Sequence, residues 1–444
     1  MGHFTSRYWE NPYDSGVPRA DRRSGEYRTY TPSALTGMRL AIGPEVDAQV
    51  AAAERAVRAL NRGAHQDLGL VSRFLLRSEA IASSYIEGIA PSPRNVALAE
   101  LALEEDVRGL SDAAQQVARN MTIVRDASDA LPEKDVITVA DLNALQASLI
   151  TAPAELQGVR TTQNWIGGSR YHPLEAAHVP PPPDEVSALL EDLVRYMAGA
   201  THSPIIQAAL AHAQFETIHP FPDGNGRVGR ALIHTVLTRR GLTAEAILPV
   251  SLVLATLHQE YIEGLEAFRA EGAPETPKVF AAIETWVSTF ANAVRIAAEQ
   301  AADLEQRLTA LREEWSHIIS EARRREGKVR ATRRNSALSA ILYSLPGTPV
   351  LTTSTVTRVH GVTTTAAQSA LTQLTEYGIL ETISIGRAQR AYVSLDILDL
   401  LTRSERAMAS RDLDTASSPP MRPVPLPHVR GATSHLDAQR FGAR

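Results

Sequence analysis

His219-Pro220-Phe221-Pro222-Asp223-Gly224-Asn225-Gly226-Arg227-Val228-Gly229-Arg230 decides how the rest of the chain reads. The stretch carries one group that titrates near neutrality, one carboxylate, an asparagine, three glycines and two arginines. Upstream, Ile205, Ile206, Ala209, Leu210, Ala213 and Phe215 recur at helical spacing and predict a helix over 205–217 with one buried face. Pro220 and Pro222 forbid its simple continuation. Downstream, Val228, Leu232, Ile233, Val236 and Leu237 resume a helical stripe that Gly241 stops. The stretch is therefore a loop between two helices, and the second helix begins inside it. A helix N-terminus presents free N–H groups and a positive dipole end. Gly224 and Gly226 let backbone approach an anion without a Cβ in the way. Arg227 and Arg230 share a helical face and can each fork onto phosphate oxygens. Asp223 beside a polyphosphate suits Mg²⁺, and His219 titrates where a general base must.

This stretch resembles the signature of the Fic family, His-Pro-Phe-x-Asp-Gly-Asn-Gly-Arg-x-x-Arg, and matches it at every defined position. The resemblance implies a mainly α fold, a Fic-like helical bundle with a small β-hairpin flap. It implies transfer of AMP from ATP to a Tyr, Thr or Ser hydroxyl of a target protein, releasing pyrophosphate, with Mg²⁺ as cofactor. Carried over residue by residue, His219 deprotonates the hydroxyl and Asp223 binds the metal. Gly224, Asn225 and Gly226 cradle the phosphates, and Arg227 and Arg230 hold the outer ones. The related Doc branch, which resembles a phosphotransferase, has Lys in place of Arg227; the arginine here favours AMP transfer.

Three further segments take meaning from that resemblance. Leu70, Phe74, Leu75, Ile81, Ala82 and Tyr85 predict a helix over 69–87. Its end, Ser83-Ser84-Tyr85-Ile86-Glu87-Gly88, fits the family's inhibitory pattern, in which the glutamate pairs with the second arginine, here Arg230. A carboxylate in the last turn of a helix faces the negative dipole end, which an arginine partner would offset. Gln163, Asn164, Trp165 and Ile166, after Arg160, resemble the family's flap, a hairpin that holds the target segment by adding a strand to an edge. Tyr261, on a helix predicted from Leu248 to Phe268, matches an aromatic that the family places near adenine; a tyrosine of the core fits the same spacing.

The chain has 444 residues and a net charge of −5, enough for about three domains at ~150 residues each. It has no cysteine, which excludes disulfides and thiolate zinc sites. No apolar run reaches membrane length, and the N-terminus lacks an apolar signal core, so a cytoplasmic protein is expected. Residues 321–444 hold 17 Lys and Arg against 10 Asp and Glu, leaving 28 against 40 in the remainder. The acidic part is the expected catalytic body.

The expected organisation is a flexible arm over 1–35, a helical region with the inhibitory helix over 36–130, and a catalytic core over 131–275. A helical connector with a basic run follows over 276–334, then a module over 335–400 and a disordered tail over 401–444. Within the second region, residues 93–127 read as helical, with Leu98, Leu101, Leu103, Val107 and Leu110 inside. In the module, three predicted helices precede a hairpin turning at Gly386-Arg387, an order that resembles a winged helix-turn-helix. The basic run, Arg387 and Arg390 suit phosphate contact, whereas the third helix, Thr363 to Tyr377, has no Lys or Arg. DNA and protein docking stand as equal alternatives, and a homodimer is compatible with the sequence.

Competing readings are AMP removal at the same site, with Glu87 orienting water, and a nucleotide-sensing regulator acting on DNA through the module. A metal-dependent hydrolase using His212, His219 and Asp223 would lack a third nitrogen ligand and leave Asn225 and both arginines unexplained.

Overall fold

A computed structural model of the chain describes residues 1–63, 68–151, 153–243, 247–327, 336–386, 389–410, 420 and 424. The expected basic residues Lys328, Arg330, Arg333 and Arg334, Arg387 of the hairpin turn, and most of the expected disordered tail lie outside these residues. The chain divides into two compact units, Met1–Arg312 and Glu313–Arg444.

The first unit is mainly helical. Its elements are β1 (Gly2–Trp9), β2 (Gly25–Pro32), α1 (Pro44–Gly63), α2 (Leu68–Ile86), α3 (Pro93–Leu101), α4 (Asp112–Ser128), α5 (Val139–Leu149), α6 (Pro183–Ala198), α7 (Pro204–Ile218), α8 (Asn225–Arg239), α9 (Val250–Thr256), α10 (His258–Phe268) and the greater part of α11 (Pro277–Arg325). Helix α7 is the axis. Every residue from Ile205 to Ile218 is buried, so it lies inside the bundle on all faces rather than on the one face expected. It packs against α6 and α8, and α8 packs in turn on α4. Helix α2 is wedged between α4 and α9. Side-chain caps set several boundaries: Ser92 accepts from the Asn95 N–H to start α3, and Ser111 accepts from Ala114 to start α4. Thr138 and Asp141 form a capping box on α5.

Residues 1–35 are not a flexible arm. β1 and β2 pair antiparallel from Gly2 opposite Pro32 to Trp9 opposite Gly25. Tyr27, Thr29, Tyr30 and Thr31 favour a pleated, half-buried surface, and the anchors are polar. The Tyr30 N–H donates to the Val179 carbonyl at 2.9 Å and its hydroxyl to the Ala270 carbonyl at 3.1 Å. The Met1 ammonium donates to the Gly272 carbonyl at 2.8 Å. Two helical expectations also need correction. Residues 93–127 form two helices with an irregular link, and Leu103 in that link is 58% exposed. The helix expected from Leu248 to Phe268 breaks at Leu257, whose backbone (φ −87°, ψ 42°) leaves the helical region.

The second unit holds the end of α11, α12 (Ala337–Ser344), β3 (Val350–Leu351), α13 (Thr353–His360), α14 (Thr364–Glu376), β4 (Glu381–Gly386), β5 (Gln389–Val393) and α15 (Leu395–Met408). The strand order is β3-β5-β4, antiparallel. Ile341, Val356, Leu371, Leu374, Val393, Ile397 and Leu401 form its core. Gly361 (φ 63°) closes α13. Strand β3 and helix α15 are additions to the expected three helices and hairpin. Thr364, Thr365, Gln368 and Ser369 of α14 are exposed.

Candidate active site

The site is the α7–α8 loop and the end of α2. His219 ends α7 in the left-handed region (φ 46°, ψ 60°), the one non-glycine residue with positive φ among the described residues. That conformation is costly for a residue with a Cβ and persists only where the surroundings enforce it. Arg160 supplies much of the enforcement. Its Nε donates to the His219 carbonyl at 2.9 Å, its Nη2 to the Pro181 carbonyl at 2.5 Å, and its N–H to the Pro220 carbonyl at 2.9 Å.

Asn225 closes the loop from within. Its side chain accepts from the Phe221 N–H at 2.8 Å and donates to the Phe221 carbonyl at 2.7 Å. Its amide is thus used inside the loop. Gly224 (φ 86°) leads into α8, where a Cβ would meet Leu149 Cδ2 at 2.9 Å. Both the dihedral and the space demand glycine.

The His219 imidazole is held down to a pKa of about 4, first by burial and then by the positive charges of Arg269 and Arg160. It is therefore neutral at physiological pH, the form a base requires. Asp223 is half exposed; its Oδ1 accepts from the Gly224 N–H at 2.6 Å and lies 3.5 Å from Arg227 Nη2. One carboxylate together with phosphate oxygens is a donor set that Mg²⁺ accepts, so the residue fits the role that the resemblance implies. No cluster of three or more His, Asp or Glu positioned as metal ligands occurs among the described residues. His212 of the hydrolase reading faces away: its Nε2 lies 2.9 Å from the Tyr261 hydroxyl, inside the core.

Arg230 is 2% exposed and fully engaged by α2 and the residue that follows it. Its Nε donates to Ser83 Oγ at 3.0 Å, and its Nη2 donates to the Ser83 carbonyl and to Glu87 Oε1, each at 2.7 Å. Burial opposes the arginine's charge, but Glu87, Tyr261 and Glu216 outweigh it and keep the guanidinium firmly protonated. Burial would likewise raise Glu87, yet Arg230, then Arg227 and His219, pull it below the usual carboxylate range. The carboxylate sits over the first turn of α8, where a Cβ on Gly226 would collide with it. The protein's own anion thus occupies the basic end of that helix. Gly88 (φ 78°) ends the segment: its N–H donates to the Tyr85 carbonyl, and Ile89 donates to that of Ser84.

Tyr261 is 2% exposed, stacked on His212 beneath Arg230, and belongs to the core in this conformation. The flap is not a paired hairpin: Ile166 and His178 form a single bridge. Asn164 donates to the Phe221 carbonyl at 3.1 Å and so braces the loop below, whereas Gln163 donates to the Pro180 carbonyl at 3.0 Å, in the proline run before α6. Trp165 packs edge-on against Trp9 of the N-terminal hairpin, ring centres 5.6 Å apart.

Sequence reading missed two groups. Glu216 is 6% exposed, and burial first, against the pull of Arg230, lifts its pKa to about 7. Its Oε1 has no hydrogen-bond partner. Arg269 lies close enough to influence both Glu216 and His219. The available signal was Glu216 itself, an acid inside a helix that is otherwise apolar over most of its faces.

Residues 136–237 match the model of the Fic/DOC family. Protein adenylyltransferase fic-1 of Caenorhabditis elegans is 32% identical over 144 residues, 31% of this chain and 26% of that protein. Protein adenylyltransferase Fic of Drosophila melanogaster is 34% identical over 116 residues, 25% of this chain and 22% of that protein. The chain thus spans about a quarter of the length of the curated relatives it matches. A Fic family protein from Desulfovibrio desulfuricans G20 superposes with a TM-score of 0.48 at 20% identity, covering 80% of this chain and 97% of that one.

Proposed function

We propose that this chain, which carries a Fic/DOC domain over residues 136–237, is a protein adenylylyltransferase restrained by its own Glu87. The observation that carries the reading is the Glu87 carboxylate, 2.7 Å from Arg230 Nη2 and over Gly226, where an outer phosphate would lie. With that carboxylate withdrawn, Arg230, Arg227 and the N–H groups of the first turn of α8 are free for phosphate oxygens.

Neutral His219 then takes the proton of a target hydroxyl. The hydroxyl oxygen forms a bond to the α-phosphorus of ATP, the bond from that phosphorus to the α–β bridging oxygen breaks, and that oxygen leaves as a terminal oxygen of pyrophosphate. Mg²⁺, held at Asp223, would offset charge on the phosphates. Most of the rate enhancement comes from positioning and fixed positive charge, which suits a loop held as rigidly as this one. The names of the relatives supply the reaction class. The nature of the accepting side chain follows from the resemblance to the Fic signature.

The test is transfer of label from α-labelled ATP to protein, comparing the parent chain, Glu87→Gly and Glu87→Gly/His219→Ala. Glu87→Gly is expected to raise the label and the added His219→Ala to remove it. Equal labelling of the parent and Glu87→Gly would end the inhibitory assignment. Label arriving from the γ-phosphate instead would replace AMP transfer by phosphate transfer.

A further inference from the structure

Glu87 is the last of three polar positions spaced one turn apart along α2 and its end. The first is Glu79, which is 0% exposed. Its Oε1 lies 3.1 Å from His234 Nε2 of α8 and accepts from the Ser251 hydroxyl of α9; its Oε2 accepts from the Ser251 N–H at 2.8 Å. One turn on, Ser83 meets Arg230. One further turn brings Glu87 to Arg230 and over Gly226. On α8 the partners run the other way, His234, Arg230, Gly226, each again one turn apart. Two antiparallel helices therefore meet through a polar ladder with one fixed register.

We infer that Glu79 is a positioning residue for inhibition: it pins α2 to α8 and α9 in the register that brings Ser83 and Glu87 onto Arg230. A slip of α2 by one residue would rotate Glu79, Ser83 and Glu87 off the facing side of α8 together. The bonds that Asn120 donates from α4 to the Ala80 carbonyl and Ser84 Oγ, at 3.0 and 3.2 Å, hold α2 against α4, whereas Glu79 bonds α8 and α9 directly. Buried carboxylates are expensive unless fully bonded, and Glu79 is bonded by both oxygens across three helices. Nothing in the proposed chemistry uses it.

The inference rests on the inhibitory reading of Glu87, and its test separates the two. Labelled AMP transfer is measured for Glu79→Gln and Ser251→Ala, each alone and combined with Glu87→Gly. Weakening one buried hydrogen bond of the ladder is expected to raise transfer about fivefold over the parent and to change nothing once Glu87 is gone. A general loss of folding would instead lower transfer by the same factor in both backgrounds, and that result overturns the proposal. So does an unchanged parent rate for both variants while Glu87→Gly is active. If Glu79→Gln is insoluble, Ser251→Ala, which removes only one hydroxyl, decides. If Glu87→Gly itself does not raise transfer, the inhibitory reading and the register pin fall together.

Discussion

The α7–α8 loop and the flap above it belong to one domain and are held in opposite ways. The loop is closed by reciprocal bonds between Asn225 and Phe221, both buried, and its strained His219 is clamped by Arg160. The flap has one bridge, Ile166 to His178, and its outer part leans on the N-terminal hairpin through Trp165 and Trp9. The groups proposed to act at a phosphorus, whose placement tolerates errors of only about 0.5 Å, are on the rigid element. The groups that the family resemblance assigns to holding a target peptide are on the loosely tied one. Rigidity follows from buried, satisfied polar atoms rather than from regular secondary structure, since neither segment has any.

The largest expected effect that would break this contrast concerns His219. In an activated Glu87→Gly background, His219→Ala should reduce AMP transfer by roughly a hundredfold to ten-thousandfold, read from α-label incorporation. Retained transfer would remove the imidazole from the chemistry. Next comes release of the restraint. A charged hydrogen bond contributes roughly 1.5–3 kcal/mol, so Glu87→Gly should raise transfer by about tenfold to a hundredfold. The contrast then sharpens in stability. Asn225→Ala leaves the buried Phe221 N–H and carbonyl unpaired and should cost roughly 1–3 kcal/mol in denaturant unfolding. Trp165→Ala in the flap loses one edge-on aromatic contact, about 0.5–1.5 kcal/mol. Equal costs for the two substitutions would contradict a rigid loop under a loose flap.

The pH profile sharpens the same point through electrostatics. The folded pKa of His219 is about 4, below its ordinary value of 6.5. The base is then protonated, and transfer lost, only as pH falls through about 4. Between pH 7 and 5 the rate of the activated chain should hold nearly level. An acid limb centred near 6.5 would mean that the imidazole is solvated rather than enclosed.

The sequence was most legible where local chemistry and tertiary need coincide. Pro220, Gly224 and Asn225 dictate a loop wherever they fall, and the stripes on either side dictate helices. It was least legible where distant groups supply the reason for a conformation. Residues 1–35 show no clear periodicity, and without the Val179, Ala270 and Gly272 carbonyls that anchor it, a short isolated hairpin is marginal. The flap failed in the reverse sense: Gly167 and Gly168 both have the positive φ that a tight hairpin turn requires, yet the expected hairpin pairs at one bridge only, Ile166 to His178.

By itself, then, the sequence determined a loop between two helices with one base, one carboxylate and two arginines in helical register, because spacing along a helix converts directly into a shared face. Only the tertiary structure decided which charges that loop would meet. Glu87 and Ser83 reach Arg230, the charge of Arg269 bears on His219, and Glu79 binds three helices at once. These groups lie far apart in the chain, and their pairings exist because burial makes an unpaired charge too costly to leave alone.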